Sequence, residues 1–337
     1  MNATRTILQN PVIAFLKLIR IENLIIIFLT QYLIRYCILD SLLVYSTESY
    51  YQKIYLQLSH TTFFLLSLST VLIAAAGYII NDYFDIKTDK INHPDTVVLD
   101  RTIKRRWAMV IHLLFNAIGI LLGIYVAYKA GNIRLAIIHL ISAGFLWYYS
   151  TTFKKQLLIG NIIVSFLTAM VPLTVVLFDM PKVIENYSIM MPDVTLQFDT
   201  MYKYILSFSF FAFITSMIRE IIKDMEDFRG DVETGCRTVP IAWGMRAAKA
   251  LVIGLISNTV LLLIFVISKL YNSSSENIPT LYILCGLILP FIYLIYKVYR
   301  AQTQHDFHSA SILVKIIMLI GVSFSLVIYY LSNYAAG

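Results

Sequence analysis

Nine stretches of about 20 mostly apolar residues punctuate this chain, each long enough for a helix to cross a bilayer. They run roughly over 18–39, 60–81, 107–128, 133–150, 157–178, 203–222, 249–269, 279–299 and 312–332. Only 14% of the 337 residues are charged, against about 25% in soluble domains. The expected fold class is therefore an all-α polytopic membrane protein, a single domain over 1–337. The rule of one domain per ~150 residues does not apply to a chain built of spanning helices. Arg35 is an ionisable residue inside a span and is expected to snorkel to the nearby interface.

The basic residues give the chain a direction. With the N-terminus on the cytoplasmic side, the inner segments hold 20 of the 27 Lys and Arg residues. The other seven are Arg35, Lys53, Lys129, Arg134, Lys182, Lys203 and Lys269. This asymmetry predicts N-in, C-out. It also accounts for the net charge of +7, through loops facing anionic lipid, so a nucleic-acid partner is excluded. The cell (inner) membrane is the expected location. Cys37, Cys236 and Cys285 are far apart and unpaired in pattern, which excludes a disulfide framework or a zinc site. The first apolar segment lacks a small-residue cleavage site and reads as a retained helix. The stretch near 179–202, with Asp179, Glu185, Asp193 and Asp199, reads as a polar outer segment without chemistry.

Two acidic clusters stand out. In GYIINDYFDIKTDKI, residues 77–91, Asp82, Asp85 and Asp89 sit at i, i+3 and i+7 beside Asn81. In REIIKDMEDFRGD, residues 219–231, Asp224, Asp227 and Asp231 repeat that spacing, with Glu226 alongside. The spacing puts each trio on one helical face. Both trios follow spans that end on the same side of the membrane. Carboxylates so arranged repel one another unless cations neutralise them. An all-oxygen donor set without thiolates suits Mg²⁺, a hard ion commonly shared with substrate phosphates. Two facing rows could hold Mg²⁺ around one diphosphate and offset charge on its leaving group. A single row reads equally as a solvated helix end paired with Lys87 and Lys90, or with Lys223 and Arg229. Matched rows on one face favour the metal reading, because ionisable groups near a bilayer are functional by default.

Basic residues near these rows are candidate diphosphate ligands, although each also serves topology. Lys154 and Lys155, on the short turn in YSTTFKKQLLIGN, are preferred, followed by Lys223 and Arg219. Tyr78, Tyr83, Tyr148 and Tyr149 lie near the motifs, although aromatics in a membrane protein also serve lipid-facing packing and interfacial belts.

The motifs resemble those of the UbiA superfamily of intramembrane prenyltransferases, over about residues 12–330. NDxxDxxxD stands here as Asn81 to Asp89, and DxxxD as Asp227 to Asp231 with Asp224 preceding. The turn at 149–173 is similar to the family's fourth-to-fifth helix connection. The resemblance implies nine helices around a lipid-accessible cavity capped by the two Asp motifs. It implies a Mg²⁺-bound prenyl diphosphate that ionises to an allylic carbocation, and a membrane-soluble acceptor that attacks C1. Asp82, Asp85, Asp89, Asp227 and Asp231 would carry catalysis. With Asp224 they would hold the metal, while Asn81, Lys154, Lys155 and Lys223 would face diphosphate. One departure matters: the family's NRPxRP run stands here as Asn92-His93-Pro94-Asp95-Thr96-Val97. Arg101, Arg105 or His93 would have to replace its arginines. The pattern over 219–244 is similar to that of digeranylgeranylglyceryl phosphate synthases and chlorophyll synthases. It favours a geranylgeranyl donor and a prenylglyceryl phosphate acceptor, with an aromatic, quinone-precursor or chlorophyllide acceptor as the alternative. A cation transporter is the alternative class, disfavoured because such proteins put ionisable groups near the midplane on broken helices.

Overall fold

The computed structural model describes residues 10–47, 55–190, 198–273 and 277–334. Among these, nine helices are long and apolar enough to cross a membrane. They are α1 (Ile21–Val44), α2 (His60–Asn92), α3 (Arg105–Lys129), α4 (Ile133–Thr151), α5 (Ile159–Tyr187), α6 (Met201–Glu226), α7 (Met245–Lys269), α8 (Ile278–Arg300) and α9 (Gln304–Asn333). Each helix packs on the next in chain order, and α9 returns to α1, so the nine close a ring. The chain is an integral, multi-pass membrane protein.

Small residues let the helices approach closely, as helix packing in lipid requires. On α3, Gly119 lies against Ile73 of α2, and the Ser69 hydroxyl of α2 donates to the Gly119 carbonyl at 2.6 Å. The apolar cores lie between neighbouring helices. One joins α6 to α9 through Ile218, Val252, Phe291, Leu294 and Val314. A second joins one half of α1, α2, α5 and α6 through Ile38, Phe63, Phe178 and Ile205. A third ties the short helix Pro11–Leu18 to α2 and α3 through Leu18, Ile79, Ile86 and Ala108.

The helices outrun their apolar stretches. α2 was expected to stop at 81 but continues to Asn92. Its 33 residues span about 50 Å at ~1.5 Å each. A hydrocarbon layer of ~30 Å leaves several turns outside it. The first acidic row therefore rides on a continuous helix rather than beyond its end. α6 likewise runs to Glu226 rather than 222, and α9 starts at Gln304 rather than 312.

Two expectations are corrected at the opposite side of the ring. Arg35 does not snorkel: it is 1% exposed, and its guanidinium donates to both Asp179 oxygens, at 2.9 and 3.2 Å. It also donates to the Leu58 carbonyl and lies 4.3 Å over the Phe63 ring. Asp179 is thus a buried partner in a helix, not part of a polar loop, because α5 continues past 178 to Tyr187. Of that expected loop, 191–197 with Asp193, and the side chain of Asp199, lie outside the described residues.

Candidate functional site

The site forms where the projecting end of α2 meets the segment after α6. A short helix, Phe228–Glu233, carries Asp231 and packs on α2. Asn92 joins them: its side-chain NH₂ donates to the Asp227 carbonyl at 3.0 Å, and its Oδ1 accepts from the Gly230 N–H at 2.8 Å. Position 230 must be glycine here, since a Cβ would stand 2.5–2.8 Å from the Asn92 side chain. Thr88 donates to Thr234 at 3.3 Å one turn earlier on α2. These contacts hold the two acidic rows face to face.

Their counter-charges come from other helices, not from Lys87 or Lys90, which are exposed. Arg20 donates to Asp82 at 2.9 Å, and Lys154 to Asp85. His93 bonds Asp227 at 2.9 Å, and Asn161 donates to Asp224 at 2.9 Å. Glu226 is buried against His308 at 2.8 Å. Each row is thereby engaged by residues from different parts of the ring, which a merely solvated helix end does not need.

The electrostatics follow from this pairing. Burial pushes the Lys154 ammonium toward neutrality, but Asp85 and its neighbours outweigh it and hold the amine well above its ordinary value. Arg20 is raised too: Asp82 overcomes the cost of its burial. Burial also raises Asp227, yet the His93 hydrogen bond and the charges of Lys223 and Lys154 hold it below the usual carboxylate range. His93 is raised, chiefly by that same hydrogen bond. Asp231, with burial as the main cause and the Asp227 and Asp85 charges adding, is pushed up to about 6.

Beneath the rows lies a cavity of about 250 Å³. Its polar mouth is lined by Arg20, Asn81, Lys154, Lys223, Asp224, Asp227 and Asp231. Tyr78 and Tyr149 stand just below, and the deeper walls are mainly apolar, with Ile73, Leu146, Leu167 and Val171. Asp82, Asp85 and Asp89 are not part of this lining; two of them hold the cations, Arg20 and Lys154, that are.

Among the described residues, no group of three or more His, Cys, Asp or Glu side chains converges as a ready-made metal site. The donor set nevertheless fits a hard cation: carboxylates on two rows, together with the buried Asn81 Oδ1, which has no hydrogen-bond partner. A buried carbonyl left unpaired is costly, and a Mg²⁺ ion or its water would satisfy it.

Several expected ligands stand elsewhere. Arg105 is exposed and bound to Asp100 at 2.6 Å, and Arg101 is exposed; neither lines the cavity. Lys155 is exposed, and its carbonyl accepts from the Arg237 N–H at 3.0 Å. Tyr83 packs among the apolar residues around α2, and Tyr148 is 57% exposed. Sequence reasoning missed Arg20 and Asn161 as partners of the rows. Arg20 carries a signal of its own, a cation at the lip of an apolar stretch with Lys17 one turn before it. Asn161 carries none, because one amide in a helix could face anywhere.

Comparison with known proteins places this geometry. The UbiA prenyltransferase family profile matches residues 50–331. The chain is similar to digeranylgeranylglyceryl phosphate synthase of Methanothermobacter thermautotrophicus, 33% identical over 58% of this chain and 63% of that protein, just under two thirds of it. It is also similar to the enzyme of that name from Methanosphaera stadtmanae, 29% identical over 77% of this chain and 85% of the relative. Among solved structures it shares the fold of a UbiA homologue from Archaeoglobus fulgidus bound to GPP and Mg²⁺. The TM-score there is 0.58 at 14% identity, covering 91% of this chain and 98% of that one. A structure of digeranylgeranylglyceryl phosphate synthase gives a TM-score of 0.58 at 23% identity, with 95% and 98% covered. With a nine-helix ring, paired Asp rows over a cavity and a profile match across most of its length, this chain belongs to the UbiA prenyltransferase family.

Proposed function

We propose that the protein transfers a prenyl chain, geranylgeranyl in the leading case, from its diphosphate to the hydroxyl of a prenylglyceryl phosphate. The observation that carries this is the site itself: two facing carboxylate rows, with cations among them, at the mouth of an apolar-walled cavity inside a membrane protein. Asp82, Asp85, Asp89, Asp224, Asp227 and Asp231 would hold Mg²⁺, with the Asn81 carbonyl beside them. When bound, that ion neutralises charge on the departing diphosphate.

The chain's own residues do the rest. Arg20 and Lys154, now spent on Asp82 and Asp85, turn to diphosphate oxygens once those carboxylates have another cation to bind. The C1–O bond breaks with its electron pair leaving on diphosphate. The allylic cation that remains sits beside the Tyr78 and Tyr149 rings, whose faces stabilise positive charge, in a cavity that keeps water away. The acceptor oxygen then bonds to C1, and its proton passes to a carboxylate of the second row. The mouth faces the cytoplasm of the cell membrane in this reading, because the basic residues collect on that side.

Named relatives with the glycerophosphate-lipid activity support the acceptor class. The test is purified protein with Mg²⁺, labelled geranylgeranyl diphosphate and four acceptors: geranylgeranylglyceryl phosphate, 4-hydroxybenzoate, dihydroxynaphthoate and a chlorophyllide. Transfer to the first is expected. Transfer only to an aromatic acceptor would replace this reading with the quinone-precursor one.

A further inference from the structure

The end of the cavity farthest from the acidic rows is polar, which a site for a hydrocarbon chain does not require. His139 of α4 lines it, is 3% exposed, and has no hydrogen-bond partner at either ring nitrogen. Thr70 of α2, Ser142 of α4 and Thr174 of α5 line the same region. Behind Thr70, which accepts from Gln31 at 3.1 Å, the Gln31 Oε1 is likewise buried and unpartnered. Buried polar atoms without partners are rare, so a group of them at one depth calls for an explanation. The His139 ring is held from two sides. Phe178 meets it edge-on at 5.6 Å between centroids. Gly123 of α3, outside the cavity lining, backs it so closely that a Cβ there would lie 2.5 Å from the ring.

We propose that His139, with Thr70 and Ser142, is the floor of the prenyl channel and sets the longest donor chain the enzyme accepts. This rests on the prenyl-transfer reading given above. Thr70 lies twelve residues before Asp82 on α2, about 18 Å at ~1.5 Å per residue. An isoprene repeat, four carbon–carbon bonds of about 1.5 Å along a zigzag, advances about 5 Å. The channel therefore ends near the fourth repeat. A chain reaching farther would meet the imidazole sterically. It would also seal the unpartnered imidazole nitrogens away from any hydrogen bond, a penalty that acts only against the longer substrate. The floor thus selects by rejecting, the more discriminating way to build a pocket.

The test measures kcat/KM for geranyl, farnesyl, geranylgeranyl and geranylfarnesyl diphosphates with one fixed acceptor. It compares the wild type with His139→Ala, which lowers the floor, and Gly123→Ala, which pushes the ring into the channel. His139→Ala should raise the ratio of geranylfarnesyl to geranylgeranyl turnover at least tenfold. Gly123→Ala should shift preference toward farnesyl by a similar factor. Monodispersity and thermal melting report whether either variant has misfolded, and His139→Leu repeats the first test with little change of bulk. A floor acting through polarity predicts an intermediate ratio for it. Equal losses at every chain length, or unchanged ratios in a folded protein, would overturn the proposal. A wild type that transfers none of the four donors would instead overturn the prenyl-transfer reading on which it stands.

Discussion

At the scale of single residues, the site is a set of exchanges between charges. Asp85 is tied to Lys154 and Asp227 to His93, each from elsewhere in the ring. Replacing either by Asn should lower kcat/KM about 10²–10³-fold, comparable to losing one charge contact to the reacting diphosphate, while membrane insertion and monodispersity are retained. Arg20 tests a different role. Its guanidinium pairs with Asp82 and lies 4.9 Å over the Tyr78 ring. Arg20→Ala should weaken donor binding about 10–100-fold, as for residues that orient metal ligands, read as a higher KM. Arg20→Lys should recover only part, because Lys lacks the planar fork. Asp231 gives a pH-dependent signature. Its carboxyl titrates at about 6 in the folded chain, against about 3.9 unfolded. It then binds more protons folded than unfolded between those values. Its contribution is therefore fully present below about 4 and lost as pH rises toward 6. In EDTA, Asp231→Asn should remove a fall in stability of at most about 3 kcal/mol over that window. Thermal melting at stepped pH measures it, and an unchanged profile would mean that Asp231 is not held protonated there.

At the scale of elements, the joint between α2 and the Phe228–Glu233 helix controls whether the rows face each other. Gly230→Ala would force a methyl into the Asn92 side chain. Overpacking of this kind costs about 1–3 kcal/mol, and it should lower both melting temperature and Mg²⁺-dependent activity. Asn92→Ala should lose activity similarly without overpacking. Motif spacing made the two rows legible from sequence, since i, i+3, i+7 fixes a helical face whatever the tertiary structure. The ends of α2 and α6 were not legible, because hydropathy stops where the lipid stops and a helix held by tertiary contacts need not. The partner of Asp82 was likewise hidden. Arg20 lies 62 residues from Asp82 in the chain, and only the closing of the ring brings them together. Arg101, just before α3, and Arg105, its first residue, are nearer in sequence but exposed, and Arg105 pairs with Asp100.

At the scale of the whole molecule, the ring has a chemical end and a structural end. The chemical end gathers the acidic rows and their cations. The structural end is fastened by the buried pair of Arg35 on α1 and Asp179 on α5. Removing one partner leaves an uncompensated buried charge, so Arg35→Met should destabilise by about 3–5 kcal/mol. The Arg35→Met, Asp179→Leu double variant should recover much of that in thermal unfolding. Hydropathy alone could not reveal this staple, since a charge in an apolar stretch looks the same whether it snorkels or finds a partner. The central claim is that both acidic rows, together with Mg²⁺, grip one prenyl diphosphate. Equilibrium binding of a non-ionising geranylgeranyl thiodiphosphate to the detergent-purified protein tests it most directly. The account predicts tight binding that requires Mg²⁺ and is lost in both Asp85→Asn and Asp227→Asn. Equal affinity in EDTA, or undiminished affinity in either variant, would contradict it.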